Sequence, residues 1–320
     1  MISPPVSPGT ASATPDFSAL ADWGVVRRKY WWRWVGAAVT LGILGAIVLA
    51  FVQGQIEWSV VGQYFTTEMI LNGLLNTIII TICSMVLGVV LGVIIAIMRM
   101  SKNPVSVAIA SAYVWFFRGV PVLLQLLIWY NLALVFPTFG IPGLWEIPMI
   151  QVMSPFMATL LGLGLHQSAY TAEIVRGGIL SVDRGQMEAA QSLTMSGPTI
   201  LARIILPQAM RVIIPPLGNE FISTLKTSSL AAVVTYGELL LSAQLVYYRN
   251  NRVIELLIVV AIWYLVVVSI LAVGQHFLER RYGRGFSASN PRSWTGLGKR
   301  RGTPTASIDL PKITYQEESS

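Results

Sequence analysis

Charged residues are scarce in this chain. Of 320 residues, 12% are Asp, Glu, Lys or Arg, while 54% are hydrophobic, and the mean hydropathy is +0.64. A water-soluble domain carries about 25% charged residues. Lipid is therefore the expected solvent, and a soluble chain with one very large core is the alternative. Cysteine is nearly absent: Cys83 stands alone, which excludes an intrachain disulfide and a cysteine metal cluster. Histidine occurs twice, at His166 and His276, with no second ligand nearby in sequence, which makes a poor metal site. There is no Gly-x-x-x-x-Gly-Lys-Ser/Thr loop to cradle nucleotide phosphates, and no nucleophile elbow for a Ser-His-Asp site. Residues 1–22 lack the cationic start of a secretory signal.

What the chain has is long apolar runs. A membrane-crossing helix needs about 20 apolar residues. Six runs qualify: Val35–Val52, Met69–Met98, Val105–Phe136, Ile150–Ala172, Ile204–Val234 and Val253–Phe277. Soluble helices alternate polar and apolar faces, so uninterrupted runs favour the membrane. The expected fold is an all-α integral membrane protein of about six spans.

Basic residues orient those spans. Arg27, Arg28, Lys29, Arg33, Arg99, Lys102, Arg176, Arg184, Arg203, Arg280, Arg281 and Arg284 fall on one side if the spans alternate. The opposite loops hold Arg249 and Arg252. The positive-inside rule puts the dense side, and both termini, in the cytoplasm. The net charge of +7 is thus a topology signal rather than a nucleic-acid footprint. Trp31, Trp32 and Trp34 read as an interfacial belt. Residues 1–30 and 284–320, rich in Pro, Ser, Thr and Gly, are expected to be disordered cytoplasmic extensions.

The polar residues inside the runs carry the functional expectations. The third run is overlong: 32 residues make about 48 Å of helix. Gly119 and Pro121 predict a break there. Arg118 beside it must face protein, water or headgroups, because an arginine at mid-membrane costs about 3 kcal/mol. In the fifth run, Pro215 and Pro216 predict a kink or partial unwinding. Glu220 and Lys226, about 240° apart on one helix, cannot pair along it. Each must reach another helix, another subunit or water. His166 and Tyr170 share a face just before Glu173. The longest cytoplasmic loop, Glu173 to Arg203, reads either as a plain connection or as a short amphipathic helix over Gln186–Met195 closed by a turn.

That loop resembles the Glu-Ala-Ala segment of permease subunits in binding-protein-dependent ATP-binding-cassette importers. The pattern is Glu-Ala-Ala, three residues, Gly, nine residues, Ile, one residue, Leu-Pro. Glu188, Ala189, Ala190, Ile204, Leu206 and Pro207 match it, and Thr194 departs at the glycine. The flanking segments Phe116–Leu126, Ala169–Ile179 and Ile205–Leu230 are similar to the polar amino-acid branch of that family. The resemblance implies a five-helix permease domain over residues 66–280, with residues 31–54 as an added span and about 186–207 as the coupling segment. It further implies a multi-pass protein of the bacterial inner membrane. Expected partners are two ATPase subunits that bind ATP and Mg, a second permease subunit (identical or related), an extracytoplasmic solute-binding protein, an amino-acid substrate and lipid. No cofactor, catalytic residue or nucleic acid is expected for this chain itself. Pro207 would mark the turn from coupling helix to span. Arg118, Gln125, Tyr170, Glu173, Asn219 and Glu220 are the residues expected to line the path. A secondary transporter would show matched broken halves, and a channel would show a filter loop; neither is evident. A membrane enzyme would need clustered catalytic groups.

Overall fold

A computed structural model describes residues 31–282 apart from Pro142. The terminal extensions expected at 1–30 and 284–320 therefore lie outside the described residues. The chain divides into two compact units, Met1–Gly62 and Gln63–Ser320. The first holds helix α1 (Trp32–Gln53), every residue of which is exposed. Helix α2 (Trp58–Phe65) leads into the second.

The second unit is almost wholly helical. It contains α3 (Glu68–Arg99), α4 (Pro104–Gly119), α5 (Val122–Tyr130), α6 (Met149–Val152), α7 (Pro155–Leu180), α8 (Arg184–Ser192), α9 (Gly197–Ile200), α10 (Leu206–Thr227), α11 (Leu239–Asn250) and α12 (Val253–Tyr282). A small hairpin, β1 (Thr138–Ile141) and β2 (Trp145–Pro148), joins α5 to α6 and is, among the described residues, the one addition to the all-helical expectation. Phe139, Ile141, Trp145 and Ile147 share one of its faces by register.

Four helical runs are long and apolar enough to cross a membrane: α1, α3, Gly197–Val234 and α12. The pair α4 and α5 makes a fifth if its halves count together, bent by 101°. The bend lies where Gly119 and Pro121 predicted it. Proline supplies no N–H, and a turned chain leaves carbonyls without intrahelical partners. Gln125 Nε2 takes two of them, donating to Phe117 O at 3.0 Å and Val120 O at 2.8 Å. His166 Nδ1 on α7 lies 3.0 Å from the same Phe117 oxygen, so it is the protonated ring nitrogen.

Helix α7 is absent from the apolar set although it is the centre of the bundle. Its twelve buried residues are mostly small or polar, among them Gly162, Gly164, Gln167, Ser168 and Thr171. It packs most extensively on α3, then on α10, α5 and α4. The α3 contact is close because glycine leaves room for backbone approach. A Cβ on Gly92 would stand 2.6 Å from Thr171 Cβ, and one on Gly88 2.8 Å from Gln167 Cγ. Ile95, Ala96, Val114, Ala172, Ala209 and Ile213 form the core at one end of the bundle, while Ile80, Leu126, Leu163 and Val234 form it at the other.

The fifth run differs from expectation in two ways. Pro215 and Pro216 sit inside a continuous α10 without unwinding, and Gln275 Nε2 of α12 donates to Pro215 O at 2.7 Å. Pro207 does not mark a turn: it lies within the helical run Gly197–Val234. The turn precedes that run, at Leu193–Ser196. Leu201–Ile205 form one π-helical segment just before Pro207, with the Leu206 N–H bonded to Leu201 O. Widening the helix there accommodates a residue that cannot donate.

Gly92→Ala is expected to destabilise the purified protein by about 1–3 kcal/mol through overpacking. Gly274→Ala, where a Cβ would meet nothing within 4 Å, is expected to be neutral or slightly stabilising. Thermal unfolding of the two variants in one detergent checks the contrast, and equal melting temperatures would contradict it.

Candidate functional site

Three elements build the site: the carboxyl-terminal half of α7, the facing stretch of α10, and the loop helix α8. On α7, Glu173 is an electrostatic hub. Arg99, at the end of α3, donates Nη1 to Oε1 of Glu173. Arg176, one turn along α7, donates Nε and Nη2 to Oε2 at 3.1 and 2.9 Å. Arg118, at the α4 break, holds Nη1 3.9 Å from Oε1 and places its guanidinium 5.0 Å from the centre of the Tyr170 ring. Three cations surround one anion. The surplus positive charge is tolerable because Arg118 stays 44% exposed at its side chain, where water or a ligand can reach it. The Tyr170 ring supplies further cation–π attraction.

Beside this cluster a cleft of about 170 Å³ opens between α7 and α10. Its walls include His166, Gln167 and Tyr170 from α7 and Glu220, Ser223 and Thr227 from α10. Thr224 ties the two helices, with Oγ1 donating to Gln167 Oε1 at 3.0 Å. Gln167 Nε2 is buried with no hydrogen-bond partner. The His166 and Tyr170 rings lie 5.0 Å apart, as their shared helical face predicted.

Of the six residues expected along a path, the structure brings four to this region. Tyr170 and Glu220 line the cleft, and Arg118, which lies over the Tyr170 ring, approaches Glu173. Gln125 is 2% exposed, and its amide is committed to the broken helix rather than to the cleft. Asn219 faces away, with Nδ2 donating to Glu279 of α12 at 3.4 Å. Its neighbour in sequence, Glu220, points elsewhere because successive residues on a helix differ by about 100°. Ser223 and Thr227 were not singled out in sequence, though they lie three and seven residues beyond Glu220 on one face. Arg99 and Arg176 were visible only as orienting charges; no local pattern tied Arg99 to a residue 74 positions away.

The Glu-Ala-Ala segment forms a helix, as one of the two readings anticipated. Asp183 caps α8, its Oδ1 accepting from the Gly185 N–H at 2.6 Å. The other end closes in a Schellman turn: Met195 N–H to Ala190 O at 3.3 Å and Thr194 N–H to Gln191 O at 2.9 Å. That turn requires a left-handed residue, and Thr194 adopts it at φ 55°. A β-branched residue there is strained, which is why glycine suits the position. Ala190 is buried against Ile200 and Ile205, whereas Glu188, Ala189, Met187 and Leu193 are exposed. The two alanines thus divide their roles, one anchoring α8 to the bundle and the other presenting a small surface. Ile204 is half-buried on the anchor side, and Leu206 and Pro207 are exposed.

Thr194→Gly is expected to slow amide hydrogen exchange across α8 by relieving about 1 kcal/mol of left-handed strain. Exchange faster than in the parent protein would contradict that account of the turn.

Known proteins resemble this arrangement. Residues 88–284 match the family described as "Binding-protein-dependent transport system inner membrane component". The arginine transport system permease protein ArgU of Corynebacterium glutamicum is 43% identical over 89% of this chain and 91% of its own length. The L-cystine transport system permease protein TcyB of Bacillus subtilis is 38% identical over 59% of this chain and 76% of its own. A crystal structure of an amino acid ABC transporter with histidines superposes with a TM-score of 0.63 and 34% identity, covering 71% of this chain and all of that one. A helical membrane bundle carrying an Ala190-anchored loop helix and a family match over most of its length has one reading: this chain belongs to the inner-membrane permease components of binding-protein-dependent ABC transport systems.

Proposed function

We propose that this permease forms one half of a translocation path for polar amino acids, cationic ones included, and that α8 couples it to a separate ATPase. The observation that carries the path is the cleft between α7 and α10. A carboxylate, Glu220, lines an open polar space between two helices of a bundle rich in apolar residues. An ionisable group at that depth is costly unless water or a ligand meets it. Tyr170 links the cleft to Arg118, so a zwitterion would find an acid for its ammonium and a guanidinium for its carboxylate around one aromatic ring. The names of the relatives, for arginine and cystine, and the histidine-bearing amino-acid transporter support this class of solute.

In this reading six crossings place both termini in the cytoplasm, with α7 the crossing shielded by the others. Arg99, Arg176, Arg184 and Arg203 cluster toward the α8 end, which agrees with a cytoplasmic α8. The exposed face of α8 is offered to an ATPase subunit, and the α9–α10 run carries its displacement into the membrane. Two ATPase subunits would bind ATP and Mg, a second permease would complete the path, and a secreted solute-binding protein would deliver substrate. Closure of the ATPases would then move the helices as rigid bodies.

The test reconstitutes the permease with its ATPase and binding protein in liposomes. Glu220→Gln is expected to reduce uptake of labelled arginine about tenfold or more while complex recovery stays normal; unchanged uptake would remove Glu220 from the path. Glu188→Lys is expected to uncouple ATP hydrolysis from uptake or to lose the ATPase on purification. Full coupling with full recovery would contradict the role of α8.

A further inference from the structure

At the end of the bundle remote from α8, a second notch of about 240 Å³ is lined by Tyr64, Met69, Leu245, Val246, Arg249 and Asn250. The amino-terminal end of α3 is here, about 47 Å from Arg99 along the helix. The end of α2, the end of α11 and the start of α12 meet it. Aromatic side chains gather around these helix ends, with Phe65 next to Tyr64 of the notch and Tyr247 and Tyr248 in the last turn of α11. Phe65 stacks on Trp263 at 4.8 Å, and Trp263 Nε1 donates to Phe65 O at 2.9 Å. Tyr247 and Tyr248 pack edge to face at 4.8 Å. Converging helix ends and an aromatic belt mark a membrane–water boundary.

The notch is amphipathic at that boundary. Met69 and Leu245 are 40% and 44% exposed, and with Val246 they make apolar walls. Arg249 supplies a cation at the rim and takes part in none of the ion pairs among the described residues. The carbonyls at the end of α11 account for a cation near that helix terminus. They do not account for its place over an apolar notch. Asn250 is committed to the frame: its Nδ2 donates to Tyr64 Oη at 3.3 Å and its Oδ1 accepts from Arg252 N–H at 3.0 Å. The guanidinium is therefore the group free to receive an anion, and the apolar walls are free to receive methylenes.

We propose that this notch binds one phospholipid of the leaflet remote from α8, with its phosphate on Arg249 and an acyl chain along Met69, Leu245 and Val246. A guanidinium matches phosphate in geometry and charge. A free phosphate ion would use only Arg249 and leave the apolar walls wet. An acidic patch on a protein partner would likewise leave them wet. The site would moor the α3–α11–α12 corner to the bilayer while α8, at the other end, is moved.

Native mass spectrometry of the delipidated full-length protein in mild detergent tests the site, titrated separately with phosphatidylglycerol, diacylglycerol of the same chains and inorganic phosphate. The parent protein is expected to hold one phosphatidylglycerol about tenfold more tightly than Arg249→Ala, with Arg249→Lys in between. Diacylglycerol is expected to bind parent and variant alike, and inorganic phosphate to compete with neither. Because Arg249 is exposed, the variant is expected to elute as the parent does on gel filtration. Equal phosphatidylglycerol affinity in parent and Arg249→Ala would overturn the proposal. So would competition by inorganic phosphate, or a variant that keeps its lipid yet loses the solute-binding protein.

Discussion

The packing of α7 against α3 is the constraint on which everything else depends. Helix α7 carries His166, Gln167, Tyr170, Glu173 and Arg176 in one chain segment. Such a helix cannot face hydrocarbon, because each unmatched polar group there costs several kcal/mol. It is stable only when more apolar helices wrap it. Glycines at 88 and 92 let α3 come close enough to seal one side, and Arg99 at the end of the same helix neutralises Glu173. The remaining side faces α10, where the cleft lies. In the proposed function, shielding and transport share one cause: the polar groups that must avoid lipid are the ones that would line a hydrophilic passage.

The broken α4–α5 pair supports this arrangement from a second direction. A bend of 101° brings Arg118 to the α7 surface and turns α5 across it. The bend survives in an apolar setting because Gln125 and His166 satisfy the carbonyls it exposes. Gln125 therefore matters to the site without touching the cleft. The hub at Glu173 then joins α3, α4 and α7 through three arginines. A rearrangement of those helices would have to exchange partners at that one carboxylate.

Much of this was legible in the sequence where the signal is local. Apolar run length located the helices long and apolar enough to cross a membrane, Gly119 and Pro121 located the bend, and the segment from Glu188 to Pro207 located the loop helix. Period alone put His166 and Tyr170 on a shared face. The misreadings came from tertiary context. Two prolines in α10 suggested a kink or partial unwinding, but the helix runs through both without unwinding. Pro207 suggested a corner, but a π-helical segment absorbs it. Gln125 looked like a path residue because polarity within an apolar run marks importance without saying which way the side chain points. Long-range pairs such as Arg99 with Glu173 leave no local pattern at all. Thr194 is a different lesson: the left-handed turn persists where its preferred residue is missing, because Ala190 and Met195 hold it from either side.

On the reading proposed above, the α7–α10 cleft is a water-filled path whose access is governed by the ATPase. Ser223 is exposed in that cleft, and Val273 is exposed on the apolar surface of α12. Each can be made cysteine in a Cys83→Ser background and exposed to a charged, membrane-impermeant thiol reagent in the assembled transporter. The cysteine at 223 is expected to react at least about tenfold faster than that at 273, to be protected by substrate, and to change its side of access when ATP is supplied. Equal, slow labelling at both positions, with no effect of substrate or ATP, would contradict it.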